Sequence, residues 1–186
     1  MTPILTGVVA SGISGHLTPP YDPSSFVALS SITVGSGGTS SIEFTGIPAN
    51  YKSIQIRAIG NSVNSGTANC YIRFNSDTSS NYSLHRLYSY GGGNAVNNYS
   101  NTAGETNYIY GGANSIWSIV MDIPEYANTK INKTASTFGG YEANGAGEIG
   151  IISSNWRSTD AIHKIAFTNN GGGFTQYTQF ALYGVK

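Results

Sequence analysis

The feature that most constrains this chain is an alternation of apolar and polar residues with a period of two, interrupted by glycine-rich turns. In the stretch SSITVGSGGTSSIEF, Ile32 and Val34 precede a Gly-Ser-Gly-Gly sequence, and Ile42 and Phe44 follow it. Because successive side chains of a strand point to opposite faces, this pattern predicts two half-buried strands joined by a turn. The alternation recurs in YKSIQIRAIG, NCYIRFN, YSLHRLYSY, IWSIVMDIP, KTASTFGGYEA, GEIGIISSNW, AIHKIAF and YTQFALYGV.

The fold class follows from these segments and from the near absence of helix signals. The best helix candidate, IPEYANTKIN at residues 123–132, is predicted to be a loop with one turn. The linkers are rich in Asn, Gly and Ser, which support the turns of antiparallel sheets. We therefore predict that residues 25–186 form an all-β domain, an antiparallel β-sandwich or jelly roll of about ten strands. Two linkers, 91–107 and 169–173, are predicted to be long loops that carry binding contacts.

Residues 1–24 differ from the rest and are predicted to form an extended N-terminal arm. Glycines interrupt any helical period there, and three prolines close the segment. Its apolar side chains need burial that so short a segment cannot supply by itself. They are predicted either to attach the chain to another protein or to pack back on their own domain: Ile4, Leu5, Val8, Val9, Ile13 and Leu17. The segment lacks a basic start and a sustained apolar run, so we expect neither a signal peptide nor membrane insertion.

The low charge of the chain limits its partners. Only 10% of the 186 residues are charged, and nine Lys and Arg balance nine Asp and Glu. A neutral chain lacks the basic field that drives binding to nucleic acid or to acidic membranes, so neither is an expected partner. Neutral surfaces tend to associate, so we expect a homo-oligomer, with a trimer as the specific expectation. The single cysteine, Cys70, excludes an internal disulfide.

The residues that could carry catalysis do not form a recognisable motif. Glu142 and Glu148 flank the turn EANGAGE, where we expect them to be solvated, and Glu105 is one of several scattered acids. Glycosidases instead place two carboxylates across a cleft. The three histidines lack the spacing of a zinc site, and no G-x-S-x-G sequence is present. We therefore expect no enzyme activity, no cofactor and no metal; Asp77 in NSDTSSN is expected to form an Asx turn rather than a calcium loop.

Aromatic residues are the remaining candidates for a functional surface. The chain has 13 tyrosines and two tryptophans, many of them in or beside polar, glycine-rich stretches. Exposed Tyr and Trp suit both carbohydrate stacking and protein interfaces, because each offers a flat apolar area with a polar group. The candidates for contact with a receptor or a glycan are Tyr99, Tyr108, Tyr110 and Trp156.

Three segments together resemble a β-rich domain found in structural proteins of tailed bacteriophages, which is frequent in phages of aquatic bacteria. They are TVGSGGTSSIEFTGIPANYKSIQIR, IRFNSDTSSNYSLHRLY and FALYGVK, and they occur in that order between residues 26 and 186. The resemblance implies a non-catalytic structural protein displayed on the virion, with other capsid or tail proteins as partners. Two placements stay open: a tail fibre or tail appendage that contacts a host receptor, and a decoration protein on the capsid.

An alternative from another functional class is a carbohydrate-binding module, which the tyrosines and tryptophans on a sandwich would serve. A fragment of a polysaccharide depolymerase is a third interpretation, and the lack of paired carboxylates argues against it.

Overall fold

The computed structural model describes residues 25–112 and 115–186, which form twelve β-strands and no helix. The predicted arm, with its six apolar attachment residues, lies outside the described residues. The strands are β1 (Phe26–Thr33), β2 (Ser41–Thr45), β3 (Ser53–Gly60), β4 (Gly66–Phe74), β5 (Tyr82–Tyr90), β6 (Gly93–Asn101), β7 (Gly104–Gly111), β8 (Trp117–Pro124), β9 (Lys133–Tyr141), β10 (Glu148–Trp156), β11 (Lys164–Asn169) and β12 (Gln179–Val185). No helix in this part of the chain is long and apolar enough to cross a membrane.

The strands form two antiparallel sheets. The large sheet has the order β1-β12-β3-β8-β9-β10-β5-β6, and the small sheet has the order β2-β11-β4-β7. Every pairing between neighbouring strands is antiparallel. The predicted all-β sandwich is therefore confirmed, with twelve strands in the described residues where about ten were expected.

Strand β8 shows how the alternating sequence builds the core. Trp117, Ile119, Met121 and Ile123 are buried, and the residues between them are exposed. These side chains meet apolar residues from both sheets in one continuous core. Burying a large apolar side chain stabilises the fold by roughly 1.5–3 kcal/mol, so the phase of each strand is strongly specified.

The prediction of a long binding loop at residues 91–107 is wrong. Register places Tyr90 opposite Gly93, so a two-residue turn joins β5 to β6, and residues 104–107 already belong to β7. The sequence GNAVNNYSN gives no strand signal, because neither of its two alternating sets of residues is mainly apolar. Strand β6 lies at the edge of the large sheet, and none of its residues is fully buried.

Two other loops are present over most of their predicted ranges, although Ile123 and Pro124 belong to β8 and Asn169 to β11, and the binding contacts of the second loop stay a prediction. Residues 125–132 between β8 and β9 contain turns and no helix. Residues 170–173 form a loop after β11.

Candidate functional site

A pocket of about 420 Å³ lies where strands β5 and β10 of the large sheet meet strands β4 and β7 of the small sheet. We call it the tyrosine pocket, because three of its seven lining residues are tyrosines. The lining consists of Thr67, Asn69, Tyr88, Tyr90, Tyr108, Glu148 and Asn170.

Strand register explains how these residues come together. Tyr88 and Tyr90 are two positions apart on β5 and so share one face of the strand. Glu148, at the start of β10, pairs with Tyr90. On the small sheet, Asn69 of β4 pairs with Tyr108 of β7, which places them on the same face.

The three tyrosines form a connected aromatic wall. The rings of Tyr88 and Tyr90 are stacked with centroids 5.6 Å apart, and the ring of Tyr108 meets Tyr88 edge-on at 5.9 Å. Tyr90 is 49% exposed, so part of this wall is open to solvent. The aromatic surface is thus available to a ligand that enters the pocket.

A buried ion pair supports the wall from behind. The Arg86 guanidinium lies 3.3 Å from the Glu105 carboxylate, and both side chains are 2% exposed. Arg86 also donates a hydrogen bond of 2.8 Å to the Tyr108 hydroxyl, and its guanidinium carbon lies 4.1 Å from the Tyr108 ring centroid and 4.6 Å from that of Tyr88. One arginine therefore fixes two rings of the tyrosine pocket, because a desolvated cation over an aromatic face is attracted to it.

Burial changes the acidity of the two carboxylates near Arg86. It raises the pKa of Glu148 to about 7, against the opposing charge of Arg86. It also raises the pKa of Glu105, although a hydrogen bond from Tyr99 and the charge of Arg86 favour ionisation of that carboxyl group. Glu148 therefore titrates near neutral pH at the wall of the pocket.

Two buried acceptors of the tyrosine pocket make no hydrogen bond to any described part of the chain. They are the Glu148 Oε1 atom and the Asn69 Oδ1 atom. Buried polar atoms in folded proteins are nearly always satisfied, so such a pair calls for an explanation. Both atoms are able to accept a hydrogen bond, and their residues line the same pocket. The pocket therefore matches a ligand that carries hydrogen-bond donors.

The four aromatic residues predicted from the sequence have different outcomes. Tyr108 lines the tyrosine pocket. Tyr99 lies behind the pocket, hydrogen-bonded to Glu105, and Tyr110 stacks on Tyr141 with ring centroids 4.8 Å apart. Trp156 is only 2% exposed, so its prediction as a surface contact is wrong.

Trp156 belongs to a group that we call the sealed aromatic cluster, which consists of Phe74, Tyr82 and Trp156. Trp156 lies 5.6 Å from Phe74 and 6.4 Å from Tyr82, measured between ring centroids. Its indole Nε1 donates a 2.7 Å hydrogen bond to the Asp77 carboxylate. The expected Asx turn is present, since the Ser79 amide donates to the same carboxylate at 2.8 Å.

The two glutamates near Arg86 are buried, in contrast to the sequence prediction. Glu148 was expected to be solvated at its turn, but it is 7% exposed because β10 begins there, between β5 and β9. In the sequence Glu105 is one of several scattered acids, and the fold brings it to Arg86, 19 residues away. The neighbouring Glu142 is exposed, as expected for a turn.

No protein-family model matches the chain, and no curated protein sequence matches it.

Proposed function

We propose that the chain is a non-catalytic recognition domain that binds a saccharide in the tyrosine pocket. One observation carries the proposal: three tyrosine rings, one of them exposed, share the lining of a pocket of about 420 Å³ with two residues that keep buried, unpartnered acceptors. Among the functions expected from the sequence, this geometry favours carbohydrate binding.

The chemistry of a sugar matches each part of the lining. The C–H face of a pyranose ring packs on a flat aromatic surface, such as the exposed part of Tyr90. Its hydroxyl groups can donate to Glu148 Oε1 and Asn69 Oδ1 after a side-chain movement exposes these two buried acceptors. Asn170 and Thr67 add polar groups at the rim.

The placement of the acids in the described residues supports binding without hydrolysis. The tyrosine pocket has one carboxylate in its lining, that of Glu148. Glu105 is sealed behind Arg86 and already engaged with it. Glycoside hydrolysis by two carboxylates requires both of them to reach the scissile bond, so the second partner is missing here.

The test is a glycan array probed with the full chain, followed by calorimetric titration of any saccharide that binds. Tyr90→Ala removes the most exposed ring of the wall, and we expect it to weaken binding on the order of tenfold. The matched control is Tyr177→Ala, since Tyr177 is 74% exposed and lies outside the pocket. Equal affinities of the two variants, or no binding on the array, would contradict the proposal; release of reducing ends would contradict its non-catalytic part.

We further propose that this domain is displayed on a tailed phage particle, as a tail appendage or a capsid decoration protein. The support is the resemblance of its three sequence segments and the zero net charge, which suits dense packing of copies. Immunogold electron microscopy of purified particles tests the placement. Gold on the head or on the tail would support one of the two positions, and particles without gold would refute the virion proposal while leaving saccharide binding untouched.

A further inference from the structure

The outer face of the large sheet carries a continuous line of exposed apolar side chains, which we call the apolar row. Register aligns them one strand after another: Val120 pairs with Phe138, Phe138 with Ile151, Ile151 with Leu87, and Leu87 with Val96. Each of the five is between 39% and 72% exposed. With strands about 4.8 Å apart, the row is roughly 20 Å long.

The surroundings of the apolar row resemble the rim of a protein interface. On one side of the row, the strand register aligns polar residues across the five strands: Asp122, Ser136, Ser153, His85 and Asn98. On the other side lie Ser118, Gly140, Ile149, Ser89 and Asn94. An uncharged apolar centre bordered mainly by polar residues, with Arg57 next to Val120 at one end, has the usual composition of a recognition interface.

The exposed apolar area of the row is large for the surface of a monomeric protein. Together with Ile149, the row presents on the order of 500 Å² of apolar surface, near the upper limit for the largest patch of a typical monomer. A stable interface of standard size buries about 800 Å² on each partner. The row and its polar rim therefore approach the area that a second protein chain needs.

We propose that a second copy of this chain packs on the apolar row, sheet face against sheet face, to form a two-fold symmetric dimer. A straight apolar line is complementary to itself, because a two-fold axis parallel to the sheet, along or across the line, superposes apolar side chains on apolar side chains. The chain has no net charge to oppose this contact.

The shape of the same face supports a copy rather than a different partner. Beside the row lies a hollow of about 950 Å³, with Gly140 and the Gly91–Gly92 turn among its lining residues. Val120, Phe138 and Ile149 are among its apolar lining residues, and a second hollow of about 400 Å³ lies among Leu87, Phe138 and Ile151 of the row. The face thus carries exposed apolar side chains and recesses together, which is what an isologous contact uses, since each copy offers both.

The first test is the mass of the full chain in solution across a range of concentrations, by light scattering or sedimentation. We expect a dimer whose dissociation constant rises at least about tenfold in Phe138→Thr and in Ile151→Thr. Each substitution removes an apolar side chain from both copies, so the buried apolar area is lost twice in the interface. Threonine keeps the strand propensity, and unfolding curves check that the variants fold. The matched controls are Val63→Thr and Ile131→Thr, which remove exposed apolar side chains outside the row.

A second measurement identifies the face that is used. Cys70 is fully buried and burial raises the pKa of its thiol to about 12, so a spin label attaches to one introduced cysteine only. A label at Ser153→Cys, in the rim, should give a short distance between copies. A label at Thr45→Cys, exposed on β2 of the small sheet, should give a much longer one.

Three results would overturn the proposal. The first is a full chain that is a monomer at all concentrations, or that assembles as the trimer expected from its composition. The second is a dimer that row variants weaken no more than the controls do, or that shows the shorter distance at Thr45→Cys. The third is a full chain that stays monomeric while a variant without residues 1–24 dimerises. That result would mean that the N-terminal segment of the chain occupies the apolar row.

Discussion

The two aromatic groups of this molecule, the sealed aromatic cluster and the tyrosine pocket, use similar side chains for different purposes. In the sealed aromatic cluster each polar atom has a partner: the Tyr82 hydroxyl accepts from the Phe74 amide at 3.0 Å, and Trp156 donates to Asp77. In the tyrosine pocket, Glu148 and Asn69 keep buried acceptors that no described group satisfies. Satisfied polar groups fit a structural role. Unpaired buried atoms also occur outside the tyrosine pocket, at Trp117 and Thr137, so it is their position beside an exposed tyrosine ring that singles out those of Glu148 and Asn69.

The pKa values of the acids differ in the same way. Burial acts to raise the pKa of Asp77, but hydrogen bonds from Trp156, Asn81 and Ser79 outweigh it and lower the pKa to about 2. Burial raises the pKa of Glu148 to about 7, and Arg86 offsets only part of this effect. The ionised form of Asp77 therefore stabilises the folded chain, whereas ionisation of Glu148 destabilises it.

The largest expected effect is the loss of the Trp156 side chain. Trp156→Ala leaves a cavity among Phe74, Tyr82 and the Asp77 carboxylate, and we expect it to cost about 3–5 kcal/mol in the free energy of unfolding. Denaturant unfolding measures the cost, and the folded fraction should keep any saccharide affinity of the parent chain. Trp156→Phe serves as the control, since it keeps most of the ring area and should cost clearly less. A stable Trp156→Ala chain that no longer binds saccharide would contradict this assignment, because it would give the sealed aromatic cluster the binding role and not the structural one.

A second prediction concerns the ion pair behind the tyrosine pocket. Arg86→Met leaves the buried Glu105 carboxylate without its cation, and we expect a cost of about 3 kcal/mol at pH 8. Because burial already raises the pKa of Glu105, protonation should relieve much of the cost at pH 5. Urea unfolding at both pH values measures the difference.

The double variant Arg86→Met/Glu105→Gln provides the control for this prediction. It removes the uncompensated charge, so it should be more stable at pH 8 than Arg86→Met alone. A cost that is equal at both pH values and unchanged in the double variant would show that Arg86 acts through packing on Tyr88 and Tyr108 alone.

The third prediction is a smaller loss at the sealed aromatic cluster. Asp77→Asn keeps the shape of the side chain and removes the charge, and we expect a cost of about 1 kcal/mol at pH 7. The lowered pKa of Asp77 contributes stability that is present above its unfolded value of 3.8 and is lost as the pH falls through about 2. The two chains should therefore approach equal stability at the acid end of a pH series. A difference that stays constant down to pH 2 would contradict the ionic role of Asp77.

The sequence predicts the strands of this molecule better than it predicts the faces they bury. In β8 the large apolar residues point inward, so alternation alone identifies the core residues. In β10 the same rule would bury Ile149 and Ile151, yet these are more than half exposed and Glu148 and Trp156 point inward. Both phases of GEIGIISSNW contain apolar residues, and only packing against the rest of the fold decides between them.

The candidate site was harder to predict than the fold for a related reason. Tyr108 was recognised because an aromatic residue in a polar stretch is visible locally. The pairing of Arg86 with Glu105 has no local signal, since it depends on how β5 approaches β7 across the two sheets. Polar pairs that are set by tertiary contacts cannot be read from spacing along one chain.

The last prediction has the smallest expected effect on stability and the opposite sign. The raised pKa of Glu148 means that its contribution to stability is fully present below the unfolded value of 4.5 and is lost as the pH rises through about 7. Glu148→Gln has the shape of the protonated acid, so the two chains should be equally stable at pH 4. At pH 8 the variant should be more stable by an amount on the order of 1 kcal/mol, measured by urea unfolding at both pH values.

The same substitution should weaken saccharide binding at pH 8, because a carboxylate accepts stronger hydrogen bonds from hydroxyl groups than a carboxamide does. A side chain whose removal stabilises the fold and impairs binding serves the ligand rather than the fold, which is the trade-off between stability and activity that functional sites show. A Glu148→Gln chain that is less stable than the parent at pH 8 would instead show that the Glu148 anion stabilises the fold, as the Asp77 anion does. The contrast between the tyrosine pocket and the sealed aromatic cluster would then rest on Tyr90 and Asn69 alone.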